Sequence, residues 1–230
     1  MKKIAIIPAR GGSKRIIKKN IKNFLGKPII AYSIEAALSS GVFDEVMVST
    51  DDAEIAEISK KYGAQVPFLR SLEASSDTAT TAQVLIEVID EYKKLGQEFE
   101  YFACIYPCAP FLKSQRLKDA MELLVEKDVD SVLPVVKFSY PPQRCLVERD
   151  GKIKMLYPEN CNVRSQDLEP YYHDVGQFYC VKTSSLIREE KLFCENTLPI
   201  ILQESEVQDI DTLEDWKIAE MKYKILNQEE

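Results

Sequence analysis

The chain has 230 residues, 45% of them hydrophobic, with six cysteines and a formal net charge of −7. That length buries a core without disulfide or metal staples, and the apolar content is ordinary for a soluble globule. No apolar run approaches 18 residues and the N-terminus offers no leader, so a cytoplasmic protein with no transmembrane helix is expected.

Ile4–Ile7 is a short apolar run closed by Pro8, the pattern of a strand buried on both faces. Ala9-Arg10-Gly11-Gly12-Ser13-Lys14-Arg15 follows. Paired glycines let a backbone turn sharply and bring its N–H groups near a ligand. Arg10, Lys14, Arg15, Lys18 and Lys19 surround them with positive charge. Donors and cations beyond the carboxyl end of a buried strand suit a polyphosphate, although a solvated basic loop has the same composition. Residues 1–34 hold nine Lys or Arg and no acid, so residues 35–230 carry −16 (−7 minus +9). A basic segment on an acidic protein points to one local anionic ligand, not to nucleic acid. The spacing matches neither a Walker A loop nor GxGxxG.

Lys27-Pro28 opens a helix with Ile30, Ile34, Ala37 and Leu38 inward, stopped by Gly41. Glu45–Thr50 is a second strand, and Asp51-Asp52 caps a helix that runs to about Tyr62 and Gly63. Gln65–Phe68 is a short third strand whose proline suggests an edge. After the polar stretch that begins at Arg70, Thr80 or Thr81 caps a helix carrying Val84, Leu85, Val88, Ile89 and Tyr92 inward. Tyr101–Tyr106 is a buried strand. Ser114 caps the next helix, and Ser131–Val136 is again strand.

Strands alternating with helices predict an α/β fold, a doubly wound and mostly parallel Rossmann-like sheet in one domain spanning 1–230. Ligands of such sheets lie beyond the carboxyl strand ends, which places the basic loop, Asp51-Asp52, Arg70 and Tyr106 on one rim. The alternation breaks over 138–172. There Asp150-Gly151 marks a hairpin, and the long aperiodic excursion is read as a functional inserted subdomain. Gly176–Val181 and Leu198–Leu202 are the last strands. Thr212 begins a final helix with Trp216, Ala219, Tyr223 and Leu226 inward.

The spread of the cysteines, without a CxxC pair and with His173 as the single histidine, argues against zinc. A nucleophilic cysteine would need Cys161 beside His173. Asp209 and Asp211 flank Ile210, so in an extended segment both carboxylates point one way. Such a pair suits Mg²⁺ held between protein and substrate phosphates, or one of the two merely caps the last helix.

Several stretches resemble one family. Pro8–Lys14 with Lys19-Asn20, Arg70 with Ser75–Thr81, and Asp209-Ile210-Asp211-Thr212 look like the motifs of the CMP-sialic acid synthetases. These are the cytidylyltransferases that activate nonulosonic acids. The resemblance spans nearly the whole chain. It implies that Ala9, Arg10, Gly11, Gly12, Ser13, Lys14, Lys19 and Asn20 cradle the phosphates of CTP. It assigns the cytosine to Arg70, Ala79 and Thr81, with Asp77 matching but without a clear role. Asp209 and Asp211 are implied to hold Mg²⁺, and Arg10, Lys14 and Lys19 to act with them in catalysis. A homodimer packed through the excursion is implied too.

Two positions depart from the family pattern. Tyr106 replaces the usual strand-end glutamine, and Arg15 replaces a glycine. With Phe138–Pro141, Arg164–Pro170 and His173–Tyr179, they look like the branch that activates pseudaminic acid. Ile17 stands where that branch usually has proline. Arg164, and secondarily Arg144, become candidates for the sugar carboxylate, with Tyr106 and Gln177 lining the sugar pocket; Arg164 at a dimer contact is the alternative. The expected reaction joins CTP to the sugar's anomeric hydroxyl and releases pyrophosphate. Sialic acid, legionaminic acid or Kdo as the sugar, or a nucleotide-binding regulator without turnover, are the competing readings.

Overall fold

A computed structural model describes residues 1–227. Lys3–Pro8 forms β1, whose Ile4, Ala5, Ile6 and Ile7 are fully buried. On one side it pairs in parallel with β4 (Glu45–Ser49), on the other with β5 (Tyr101–Ile105). β10 (Phe178–Lys182) runs antiparallel between β5 and β6 (Ser131–Lys137), and β11 (Thr197–Leu202) lies parallel on the far edge of β6. The sheet order is therefore β11-β6-β10-β5-β1-β4. β9 (Tyr172–Asp174) also pairs with β6, antiparallel, just before β10 begins.

Two helical layers cover this sheet. Ile30 and Ile34 of α1 (Ile29–Ser40), Ile55 of α2 (Ala53–Lys61) and Leu117, Met121 and Leu124 of α4 (Ser114–Glu126) share one apolar cluster with Ala5, Ile7 and Val48. Leu85, Val88 and Tyr92 of α3 (Thr81–Lys94) and Leu186 of α5 (Thr183–Glu189) pack with Ile4, Ile6 and Phe102 on the other face. This is the doubly wound, mostly parallel α/β architecture expected from the alternation.

Several local expectations are corrected. Gln65–Phe68 is not a strand: only Gln65 bridges Met47, because Pro67 brings no N–H to a ladder. Lys113, not Ser114, precedes the first turn of α4, and no side chain caps it. Of the two threonines offered as caps for α3, Thr80 is the one that caps it, in a reciprocal box with Gln83. Leu38 and Leu226 are 43% and 41% exposed, so neither belongs to the buried stripe of its helix. α5, β9 and a small hairpin of β2 (Asn23–Phe24) and β3 (Lys27–Pro28) lacked a period long enough to read. The hairpin β7 (Leu146–Arg149) and β8 (Lys152–Met155) is present as expected, turning through Asp150 and Gly151, both with positive φ.

A third cluster matters most for function. α6 (Leu213–Asn227) buries Trp216 and Ala219 against Phe24, Ile29, Tyr32 and Phe111, and the same cluster takes in Ile16 and Ile210. Each large buried side chain there contributes about 1.5–3 kcal/mol. The cluster thereby pins the segment after the glycines next to the segment between the two aspartates.

Candidate active site

The basic loop leaves β1 tied to the end of β4. Ala9 N–H donates to the Ser49 carbonyl at 2.9 Å, and Gly11 N–H donates to Asp51 Oδ1 at 2.9 Å. Asp52 caps α2 by accepting from the N–H groups of Glu54 and Ile55. The Asp-Asp doublet thus divides its work: one carboxylate holds a helix, the other holds the loop. Neither Gly11 nor Gly12 has positive φ; the chain turns sharply, as expected, through a bond from Ser13 N–H to the Gly11 carbonyl at 3.0 Å. Gly11 is needed for space: a Cβ there would lie 2.8 Å from Asp52 Oδ2 and 3.0 Å from Asp52 Cβ. Gly11→Ala is expected to displace either the Asp52 cap or the Asp51 contact. The cost is about 0.5–2 kcal/mol of stability, measurable by thermal melts.

Lys19 joins this loop to the far end of the chain. Its ammonium donates to the Ile210 carbonyl at 2.6 Å and lies 3.5 Å from Asp211 Oδ1. Arg15 Nη1 lies 2.9 Å from Asp211 Oδ2. Asn20, buried beneath the loop, donates from Nδ2 to the Arg10 carbonyl at 2.9 Å and accepts from the Cys108 thiol at 3.3 Å. Burial pushes the Cys108 thiol up to about 12, so it stays protonated as a donor. Ile210 is buried between two accessible aspartates, as the alternation predicts. Desolvation first, then the Asp211 carboxylate, raises the Asp209 carboxyl above its ordinary value, while Lys19 opposes the rise. Asp211 does not cap α6; Thr212 and Asp215 do so reciprocally, with Asp215 Oδ2 also accepting from Asp211 N–H.

Two cavities meet at the rim. One, of about 390 Å³, is lined by Arg10, Ser13, Lys14, Arg15, Lys19 and Asp211, among others. The second, of about 260 Å³, is lined by Arg70, Asp77, Ala79, Thr81 and Tyr106. Pro8 and Arg10 line both. Arg70 is buried and donates from Nε to Ser49 Oγ at 3.0 Å and from Nη2 to the Ser49 carbonyl at 2.6 Å. Burial lowers its guanidinium below the ordinary value, against the pull of Asp51 and Glu87. Asp77 bridges the basic loop, at 3.0 Å from Arg10 Nη1 and 2.5 Å from Lys14 Nζ. Tyr106 stacks edge-on against Tyr179, whose hydroxyl bonds Asp174; Ser33 Oγ donates to the Tyr106 carbonyl at 2.8 Å.

The other expected sugar contacts lie elsewhere. Arg164 is 73% exposed at its side chain and pairs with Asp167 at 2.8 Å. Arg144 donates to Ser165 Oγ at 3.3 Å and lines a separate cavity in the excursion. Gln177 is buried, donating from Nε2 to the Glu206 carbonyl at 2.9 Å, and lines neither rim cavity. His173 stacks on Phe138, and its Nδ1 bonds the Asp174 carbonyl. Ser49, which holds Arg70, is a positioning group that sequence reasoning left without a role, and Asp51, read there as part of a helix cap, instead holds Gly11. The doublet at 51–52 was the available signal, since a cap needs one carboxylate.

Among the described residues, no group of three His, Cys, Asp or Glu could hold a metal. Asp209 and Asp211 offer two carboxylates, the donor set of a Mg²⁺ ion that takes its remaining oxygens from substrate and water. The residues present therefore fit such an ion.

A cytidylyltransferase family model matches residues 4–196. A pseudaminic acid cytidylyltransferase of Campylobacter jejuni is 40% identical over 226 residues, covering 98% of this chain and 97% of that protein. A CMP-N,N'-diacetyllegionaminic acid synthase of Legionella pneumophila is 36% identical, covering 100% of this chain and 99% of that protein. A solved structure of CMP:2-keto-3-deoxy-manno-octonic acid synthetase complexed with CTP shares the fold, with a TM-score of 0.72 at 18% identity over 99% of this chain and all of that one.

Proposed function

The chain belongs to the cytidylyltransferase family, and from that membership we propose that it transfers CMP from CTP to the anomeric hydroxyl of pseudaminic acid, releasing pyrophosphate. One observation carries the reading. Lys19, from the basic loop, reaches the Ile210 carbonyl and Asp211, so the loop's cations and the Asp211 carboxylate face one cavity.

In this reading the triphosphate occupies the larger rim cavity and the cytosine the smaller one. Arg70, Ala79 and Thr81 hold the base, while Arg10, Lys14 and Lys19 stabilise the departing pyrophosphate, with Ala9, Gly11, Gly12, Ser13 and Asn20 shaping the cradle. Arg grips phosphate oxygens through two donors at once, whereas Lys acts as a point charge. The sugar hydroxyl attacks the α-phosphorus in line, and the protein works by positioning and charge neutralisation. Mg²⁺ held by Asp209 and Asp211 supplies further neutralisation at the phosphates. Tyr106 at the end of β5 lines the way to the sugar. Arg144 and Arg164 join the sugar site if residues 138–172 fold over a neighbouring subunit, which makes the enzyme a homodimer.

A pyrophosphate-release assay with CTP and pseudaminic acid tests the proposal; release is expected, and none above background rejects it. The 36%-identical relative favours one second reading, with a legionaminic acid as acceptor. Competition between the two sugar acids separates them.

A further inference from the structure

Asp77 stands beside the place where the two rim cavities meet, bonded to Arg10, which lines both. It lines the smaller cavity, yet its carboxylate is spent on two cations that line the larger one: Oδ1 on Arg10 and Oδ2 on Lys14. These ion pairs span 67 and 63 residues of sequence. Both cations hold Asp77 in its charged form, the Lys14 hydrogen bond most strongly. Two oxygens of one anion, each on a different cation of the loop, are what a phosphate group would present to the same pair. Asp77 also belongs to the segment 70–81, whose Arg70, Ala79 and Thr81 line the nucleobase side.

We propose that Asp77 is a specificity-determining residue: an internal phosphate mimic that occupies Arg10 and Lys14 until a ligand with a nucleobase rearranges segment 70–81. A bare polyphosphate has to break both ion pairs without compensation. A nucleotide spanning both cavities meets the same segment with its base and gains contacts there as Asp77 gives up the loop. The residue thereby lowers affinity for pyrophosphate relative to CTP, which favours product release. This inference rests on the triphosphate reading of the larger cavity.

The test is calorimetric titration of inorganic pyrophosphate and of CTP into wild type, Asp77→Asn and Asp77→Glu, without metal and at fixed ionic strength. Asp77→Asn is expected to bind pyrophosphate on the order of tenfold more tightly, from the loss of two exposed ion pairs. Its CTP affinity is expected to change by less, so the ratio of the two affinities shifts. Asp77→Glu is expected to keep the wild-type ratio. Because the side chain is exposed, melting temperatures are expected to stay close to wild type, which separates the effect from misfolding. Unchanged or weaker pyrophosphate binding in Asp77→Asn, with wild type binding normally, overturns the inference alone. Failure of wild type to bind either ligand overturns the phosphate reading and the inference with it.

Discussion

Asp211→Asn is expected to lower pyrophosphate release by about 10²- to 10³-fold at saturating CTP, sugar and Mg²⁺, the range for deleting one preorganised charge-stabilising group. The substitution keeps the shape of the side chain and a neutral oxygen acceptor. It removes the charge that faces Arg15 at 2.9 Å and Lys19 at 3.5 Å. Asp209 alone then remains as the charged oxygen donor of the pair, and a divalent ion at this place loses half of its protein charge. Asp215 and Thr212 still cap α6, so the fold is expected to persist, and circular dichroism checks this. Turnover within a few-fold of wild type would remove Asp211 from the metal role.

The second large effect is expected at Lys19. Lys19→Ala deletes the only described side chain that hydrogen-bonds from the basic loop to the backbone of the aspartate segment. The Ile210 carbonyl loses its charged donor, and charge-assisted hydrogen bonds of this kind are worth about 1.5–3 kcal/mol. Asp209 loses the cation that opposes its rise, so its carboxyl is expected to rise further, while Arg15 stays on Asp211. Turnover is expected to fall by about 10²-fold. Lys19→Arg is expected to restore part of it, since charge is kept while the point geometry is not. Steady-state kinetics over a Mg²⁺ series makes the comparison. An alanine variant that keeps normal turnover would separate the loop from the aspartates in function.

The sequence by itself determined the parts whose cause is local. The apolar runs of β1, β4 and β5, the 3.6-residue periods of α1, α3 and α4, and the Asp150-Gly151 turn all follow from period and turn chemistry within a few residues. The charge distribution marked Arg10, Lys14 and Lys19 as a candidate anion site, and the alternation at 209–211 put Ile210 inward between two accessible aspartates. α5 and β9 were too short to show a period, and Gln65–Phe68 looked like a strand because its apolar residues carry no record of which neighbour offers a ladder.

The tertiary structure decided which distant pieces meet. Lys19 touches Ile210 because Ile16, Phe24 and Trp216 share one apolar cluster, and no local pattern encodes that coincidence. It also decided what Gly11 is for, by putting the Asp52 side chain against it, and it spent Asp77 on Arg10 and Lys14. Hydrophobic burial is non-directional, so a sequence names the side chains that must leave water but not the partners they find there. Those partners are chosen by packing the whole chain at once.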